Sequence, residues 1–172
     1  MATEIVNRVA NSKLVTFNLE DFYPSGERIL FDIKDWLLEG LVLRETIFRE
    51  KAQAYNWKQF EGAYVALTCS TDAIIPAWAY MLLATHLNPY TKKTVVGDLQ
   101  TLETILYTEI ISKLDLSNLK DKPVIIKGCS HKPVPENAYL ILIEKLQPVV
   151  KSLLYGEACS SVPLYKNRNV KY

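Results

Sequence analysis

The sequence predicts a three-layer α/β fold in which a mostly parallel sheet carries helices on both faces. The main observation is a regular alternation after Gly62. Short apolar runs and helical segments follow one another in the order AYVALTC, DAIIPAWAYMLLATHL, KTVVGD, LQTLETILYTEIISKL, PVIIKGC, ENAYLILIEKLQ and VKSLLYGEAC. Three consecutive strand–helix–strand units are typical of parallel strands joined by crossover helices. The length of 172 residues, with 49% apolar and 23% charged residues, fits a single globular domain.

The N-terminal third of the chain lacks this regularity. The segments KLVTFNL and RILFDI have strand character and flank the turn YPSGE, so they predict an N-terminal β-hairpin. The charges of RETIFREKAQAY then predict an exposed amphipathic helix. We therefore divide the domain into residues 1–61 with the hairpin and helices, residues 62–160 with the strand–helix repeat, and a tail, 161–172.

The helical segments of the repeat differ in how their apolar residues are distributed. The segment LQTLETILYTEIISKL has its apolar residues on one face, whereas AIIPAWAYMLLATHL is apolar nearly all round. A helix that is apolar on every side is normally buried. We therefore expect the helix AIIPAWAYMLLATHL to be the most deeply covered, with Trp78, Tyr80 and Met81 in the core.

Net charge and the distribution of apolar residues limit which classes of partner the sequence predicts. The net charge of +1 gives no general reason to expect binding to nucleic acid or to an acidic membrane. The N-terminal residues MATEIVNRVANSK contain charges and no apolar core, so we expect no signal peptide. The most apolar segment is too short to span a bilayer. We expect a cytoplasmic protein without a nucleic-acid or membrane partner, and both a monomer and a homodimer are compatible with the sequence.

The three cysteines, Cys69, Cys129 and Cys159, are each followed by serine and lie at or just beyond predicted strand ends. In a reducing compartment an odd number of cysteines indicates thiols or metal ligands rather than disulfides. The carboxyl ends of parallel strands share one edge of a sheet, where open α/β sheets place their ligands. We therefore expect the three thiols to meet on one rim. A thiol before a helix N-terminus lies at the positive end of the helix dipole, which favours the thiolate.

Three thiolates with His131 nearby could supply a Cys₃His site, or a Cys₃ site with one open position. Either would suit zinc or an iron–sulfur cluster as the cofactor. The alternative is that the cysteines are simply buried, because free cysteine is among the most buried residue types. His86, the other histidine, lies near the end of its predicted helix and is interpreted as structural.

Several other polar residues lie on the predicted rim: Ser70, Asp72, Asp98, Ser130, Lys132 and Ser160. Serine and aspartate at the start of a helix accept hydrogen bonds from its first amides, so capping is the simpler interpretation. Asp72 and Asp98 could instead act as acid–base groups, and Lys132 could hold an anion beside Cys129. The sequence contains no phosphate loop, dinucleotide fingerprint, zinc-protease helix or recognisable Ser-His-Asp arrangement.

Four segments carry a family resemblance: LEDFYPSGERILFDIKDWLLEGLVLRE, YVALTCSTDAIIPAWAYMLLA, IKGCSHKPVP and YGEACSSVPLYK. Over nearly its whole length the chain resembles a bacterial family, domain of unknown function 2480. The resemblance implies no assigned activity and supplies no catalytic residues. It does imply a context, because genes of this family tend to lie near those for iron–sulfur cluster assembly by sulfur mobilisation.

Together these observations predict an accessory protein that binds a metal ion or iron–sulfur cluster, or carries sulfur, through Cys69, Cys129 and Cys159. The resemblance suggests iron–sulfur assembly proteins as partners. One alternative is a thiol enzyme, in which a single cysteine is the nucleophile and amides of the rim stabilise the developing charge. A second alternative is a non-catalytic interaction protein whose cysteines are buried.

Overall fold

The computed structural model of the protein describes residues 14–128, 131–157 and 160–167. The chain divides into two compact units. The mid-chain unit contains residues 24–106, and the terminal unit contains the residues up to 23 and those from 107 onward. The assignment of the whole chain to a single domain stays a prediction.

Strands and helices follow one another along the described residues. The strands are β1 (Val15–Phe17), β2 (Arg28–Asp32), β3 (Tyr64–Thr68), β4 (Lys93–Val96), β5 (Pro123–Ile126), β6 (Ser152–Glu157) and β7 (Ser160–Lys166). The helices are α1 (Glu45–Ala54), α2 (Ala77–Leu87), α3 (Leu99–Lys113) and α4 (Glu136–Leu146). Among these residues, no helix is both long enough and apolar enough to cross a membrane.

The mid-chain unit contains a three-stranded parallel sheet in the order β2–β3–β4. Val65, Ala66 and Leu67 of the central strand are fully buried, as expected of a parallel strand covered on both faces. One face of the sheet packs against an apolar core that includes Phe31, Phe48 and Trp57. Residues of the other face cluster with Leu102 and Leu106 of α3.

The terminal unit contains a four-stranded sheet in the order β1–β5–β6–β7. The first three strands are parallel, and β7 is antiparallel to β6. Val124 and Ile126 of β5 share a buried cluster with Leu142 of α4. Tyr107 is fully buried in the same cluster, and its hydroxyl donates to the carbonyl oxygen of Leu19 at 3.2 Å. That hydrogen bond satisfies the one polar atom of the Tyr107 side chain in an apolar core.

The predicted fold class is confirmed: the chain is mixed α/β, and most of its strands run parallel. The predicted amphipathic helix is also present, as α1. The expectation of one sheet is wrong, because β3 and β5 belong to different sheets. Alternation of strands and helices predicts parallel pairing, but it does not fix which strands pair.

The predicted N-terminal hairpin is wrong. β1 pairs in parallel with β5, starting at Val15 opposite Val124. β2 pairs in parallel with β3, starting at Arg28 opposite Tyr64. Each strand thus extends a sheet with its own buried core, which stabilises a strand more than an isolated two-stranded hairpin could.

Two smaller expectations are also corrected. The predicted tail, 161–172, is mostly strand where it is described, because Ser160–Lys166 forms β7. Met81 of α2 is 66% exposed, so this nearly all-apolar helix is not buried on every side. Trp78 and Tyr80 are half-buried and pack at the margin of the core.

Candidate functional site

Cys69 lies directly after β3, at the carboxyl end of the central strand of the mid-chain sheet, and its thiol is half-buried. Its sulfur atom is 3.3 Å from the hydroxyl oxygen of Thr71 and 3.7 Å from the Thr71 carbonyl oxygen. The Thr71 hydroxyl donates to the carbonyl oxygen of Gly40 at 2.6 Å. The thiol is therefore held in a hydrogen-bonded loop that is anchored to a second loop around Gly40.

Asp32 ends the neighbouring strand β2, in register with Thr68. Its carboxylate oxygen Oδ1 accepts hydrogen bonds from the backbone amides of Ser70 at 3.1 Å and Lys34 at 3.0 Å. Partial burial raises the pKa of Asp32. The hydrogen bond from the Ser70 side chain, those from the Lys34 and Ser70 amides, and the Lys34 charge outweigh this and leave the pKa below the usual 3.8. Asp32 is therefore an ionised anchor for the residue that follows Cys69.

Tyr80 of α2 interacts electrostatically with Cys69 and Asp32. Burial raises the pKa of Tyr80 above its usual 10.0, and the negative charges of Cys69 and Asp32 raise it further. Repulsion between a phenolate and these two groups favours the protonated phenol. The phenol of Tyr80 therefore stays protonated at neutral pH.

Asp98 follows β4, the third strand of this sheet, and caps the start of α3. Its Oδ1 accepts hydrogen bonds from both the backbone amide and the hydroxyl of Thr101, each at 2.7 Å. The hydrogen bond from the Thr101 side chain, and then that from its amide, lower the pKa of Asp98 below 3.8. This is the geometry of an N-cap residue.

The predicted capping of α2 by Ser70 or Asp72 is wrong. The helix begins only at Ala77, and Pro76 occupies its N-cap position without a side-chain hydrogen bond. Pro76 has an extended backbone, with φ −68° and ψ 143°, and the proline ring disfavours helical geometry in the residue before it. The helix therefore starts after the proline, and Ser70 bonds to Asp32 instead.

In the terminal unit, two residues shortly before α4 bind a carboxylate. The backbone amides of His131 and Lys132 both donate to Oε1 of Glu20, the Lys132 bond measuring 2.7 Å. The Lys132 ammonium lies 5.5 Å from the ring centre of Tyr23. The anion beside Lys132 is thus supplied by Glu20, while the side chain of His131 is exposed.

The predicted meeting of the three thiols is not tested by these contacts. Cys129, Ser130 and Cys159 lie outside the described residues, and Ser160 is the exposed first residue of β7. The strands before Cys69 and Cys129 belong to different sheets, so the shared sheet edge on which the expectation relied is absent. No group of three metal-ligating side chains occurs among residues 14–128, 131–157 and 160–167. The Cys₃His site stays a prediction.

The other histidine behaves as interpreted. The ring of His86 stacks on that of Trp57, with 5.4 Å between centroids and 13° between planes.

A family model described as a protein of unknown function, DUF2480, matches residues 3–167. The chain belongs to the DUF2480 family. No curated protein and no solved structure matches it. Membership of the family confirms the resemblance read from the sequence, and it assigns no activity to the residues around Cys69.

The sequence did not reveal two of the groups beside Cys69. Asp32 was read as part of a hairpin strand, although its position directly after the apolar residues of RILF resembles that of Cys69 after its own strand. Tyr80 was read as a core residue of an apolar helix. A strand-end signal was available for Asp32, whereas nothing local distinguishes Tyr80 from the other aromatic residues of α2.

Proposed function

We propose that this chain is a thiol-dependent accessory protein that carries sulfur on Cys69. The observation that carries the proposal is the position of this thiol. The thiol lies half-exposed at the carboxyl edge of a parallel sheet. The Asp32 carboxylate holds its loop by accepting a hydrogen bond from the Ser70 amide at 3.1 Å. Ligand and active sites of parallel α/β sheets are usually found at this edge. Sulfur carriage requires one accessible thiol, and this loop provides one.

The chemistry is thiol–persulfide exchange. The Cys69 thiolate attacks the outer sulfur atom of a persulfide donor, a new sulfur–sulfur bond forms on Cys69, and the donor leaves as a thiolate with the electron pair of the broken bond. The Thr71 hydroxyl oxygen, 3.3 Å from the Cys69 sulfur, can accept a hydrogen bond from the resting thiol, and the thiol proton passes to solvent when the thiolate forms. An acceptor thiol would remove the cargo by the reverse exchange.

The proposal includes a cytoplasmic location and iron–sulfur assembly proteins as partners, which the family resemblance suggests. A metal ion or cluster is the alternative cargo and needs ligands in addition to Cys69. Cys129, Cys159 and His131 are the residues predicted for that purpose.

The test is anaerobic purification of the full chain, followed by incubation with glutathione persulfide. Intact mass and cyanolysis then report sulfane sulfur, and metal and acid-labile sulfide are assayed in parallel. We expect one added sulfur atom per chain, retained in Cys129→Ala and Cys159→Ala and lost in Cys69→Ala. Sulfur that stays bound to Cys69→Ala would contradict the proposal. Metal or acid-labile sulfide that is lost with any single cysteine would favour the alternative cargo.

A thiol enzyme is a second candidate, favoured by the carboxylate and phenol beside Cys69. A nucleophilic cysteine needs polar partners. The Asp32 carboxylate accepts from the amide of Ser70, directly after Cys69, and the Tyr80 phenol interacts electrostatically with the thiol. This function predicts a stoichiometric burst of p-nitrophenol from p-nitrophenyl acetate, followed by turnover, and both should disappear in Cys69→Ala. Acylation of Cys69 without turnover would leave sulfur carriage as the better explanation.

A further inference from the structure

A cleft of about 490 Å³ lies along β2 of the mid-chain unit. Its floor includes the strand residues 29–32, and its walls include Trp36, Tyr55 and Phe60. A smaller cavity of about 280 Å³ shares Trp36 and Tyr55 with it. Cavities of a few hundred Å³ lined by aromatic side chains are typical of binding sites.

The strand along this cleft has one edge with which no other described strand pairs. β2 is the outer strand of the order β2–β3–β4. The carbonyl oxygen of Glu27 accepts from the Tyr64 amide at 2.8 Å, and the Ile33 amide donates to the Thr68 carbonyl at 2.9 Å. Because backbone groups alternate in direction along a strand, Leu30, at the opposite parity, directs its N–H and C=O away from β3.

Leu30 shows the consequences of this exposure. Its backbone groups form no hydrogen bond with any residue in the described part of the chain, and its side chain is 48% exposed. An unpaired row of backbone groups on an edge strand is a template for a further strand.

The charge of the cleft indicates what kind of strand it accepts. The charged residues that line the larger cavity are all acidic: Glu27, Asp32 and Asp35. Asp32 already bonds to the Ser70 and Lys34 amides. The carboxylates of Glu27 and Asp35 are exposed and accept no hydrogen bond within the described ranges. Lys51 lines the smaller cavity, where its ammonium donates to the backbone carbonyl of Asp35 at 2.9 Å.

We propose that this cleft binds an extended, basic segment of a partner protein, which adds as a strand to the free edge of β2. Backbone hydrogen bonds to Leu30 supply the main attraction and set the register. Lysine or arginine residues at alternate positions of the bound segment face Glu27 and Asp35, since alternate side chains of a strand point to one side. The rings of Trp36 and Tyr55 offer faces on which such cations can rest. This interaction surface does not depend on the proposed function of Cys69.

The first experiment uses the full, isotope-labelled chain and three synthetic heptapeptides. One alternates lysine and valine, one alternates glutamate and valine, and one is the lysine peptide with proline at its central valine. We expect the lysine peptide to shift the amide resonances of Leu30 and of the cleft residues and to slow hydrogen exchange at the Leu30 amide. The glutamate and proline peptides should bind at least about tenfold more weakly, because one has the wrong charge and the other lacks a backbone donor.

Variants separate the backbone contribution from the charge contribution. Leu30→Pro removes the outward N–H at an edge position that tolerates proline, and should abolish binding, whereas Leu30→Ala should retain most of it. Glu27→Gln combined with Asp35→Asn should weaken binding of the lysine peptide by roughly tenfold. The matched control combines Glu50→Gln with Glu61→Gln, two exposed positions outside this cleft. It should bind the lysine peptide as tightly as the wild type. Thermal melts of each variant confirm folding.

Three outcomes overturn the proposal. The first is the absence of shifts at Leu30 and the cleft residues at millimolar lysine peptide. The second is equal binding of the glutamate peptide. The third is binding of N-acetyl-lysine methylamide as tightly as the heptapeptide without protection of the Leu30 amide, which would make the cleft a small-cation site rather than a strand-addition site.

Discussion

The carboxylate of Asp32 accepts a hydrogen bond from the backbone amide of Ser70 at 3.1 Å and so joins the ends of two neighbouring parallel strands. Ser70 follows Cys69 directly, and the Thr71 hydroxyl next to it bonds to Gly40. The loop that carries the thiol is therefore fixed by hydrogen bonds at both Ser70 and Thr71. Substitution of Asp32 should therefore change the reactivity of the Cys69 sulfur.

We predict that Asp32→Asn accelerates alkylation of Cys69 severalfold at neutral pH. The change removes a negative charge from the vicinity of the thiolate and weakens the hydrogen bond that holds the Ser70 amide. Both effects favour an accessible thiolate. The rate is measured with iodoacetamide and followed by peptide mass at Cys69. Asp35→Asn, which removes a nearby carboxylate with no bond to Ser70, is the control, and an equal acceleration in it would assign the effect to charge alone.

Acid should destabilise the protein through carboxylates whose pKa is lowered by folding. The pKa of Asp98 lies below its usual 3.8, first because of the hydrogen bond from the Thr101 side chain. A group with a lower pKa in the folded state contributes stability that is complete above its unfolded pKa and is lost as the pH falls through its folded pKa. Stability should therefore fall below about pH 4, where the unfolded chain begins to bind more protons than the folded one.

The corresponding variant is Asp98→Asn, because asparagine keeps an oxygen that can cap α3 but does not titrate in this range. We expect it to be less stable than the wild type at pH 7 and to lose less stability between pH 5 and pH 3. Urea unfolding at these three pH values measures both effects. The control is Asp72→Asn, an exposed carboxylate with no hydrogen-bond partner in the described ranges. Parallel pH curves for wild type and Asp98→Asn would contradict the assignment.

The local elements were predictable because their signals are local. The apolar runs that became β3 and β5, and the charge pattern that became α1, each lie within a few residues. The membership of the strands in two sheets was not predictable in this way. β1 pairs with β5, which is more than a hundred residues away, and no local pattern in KLVTFNL specifies that partner. The turn YPSGE favours a hairpin locally. Pairing and burial against the distant strand β5 stabilise β1 more than a hairpin would.

The candidate site shows the same division. Cys69 was found from its position after an apolar run, a signal contained in a single segment. The groups that interact with it electrostatically were not, because Asp32 and Tyr80 belong to segments that the sequence treats as a hairpin strand and an apolar helix. A strand end predicts where a functional residue lies in a parallel sheet. It does not predict which residues from other strands and helices surround it.

Lys145 of α4 should contribute to the stability of the terminal unit. Its ammonium donates to the carbonyl oxygens of Ile111 at 2.7 Å, Ser112 at 2.8 Å and Leu114 at 2.6 Å, around the end of α3. Carbonyls at a helix C-terminus lack partners within the helix and carry its negative dipole end. We predict that Lys145→Met lowers the free energy of unfolding by about 2 kcal/mol. The exposed Lys113→Met is the control, and an equal loss in both variants would contradict a specific capping role.

The ion pair of Arg28 and Glu103 offers the sharpest test of the mid-chain core. Glu103 is 4% exposed, and its carboxylate accepts from the Arg28 guanidinium at 2.7 Å. The same guanidinium donates to the carbonyl oxygens of Pro24 at 2.7 Å and Gly26 at 2.6 Å and lies over the Tyr64 ring. Removing one member of such a pair leaves an uncompensated charge in a poorly solvated position.

We predict that Glu103→Leu lowers the free energy of unfolding by about 3 kcal/mol. The double variant Arg28→Met with Glu103→Leu should lose less than the sum of these two single changes. The expected coupling between the two positions is about 1 to 3 kcal/mol. It is measured as a double-mutant cycle by urea unfolding. The double variant should still fall short of the wild type, because the carbonyls of Pro24 and Gly26 lose their donor. Additive losses would mean that the two side chains contribute independently and that packing, rather than the ion pair, gives Glu103 its importance.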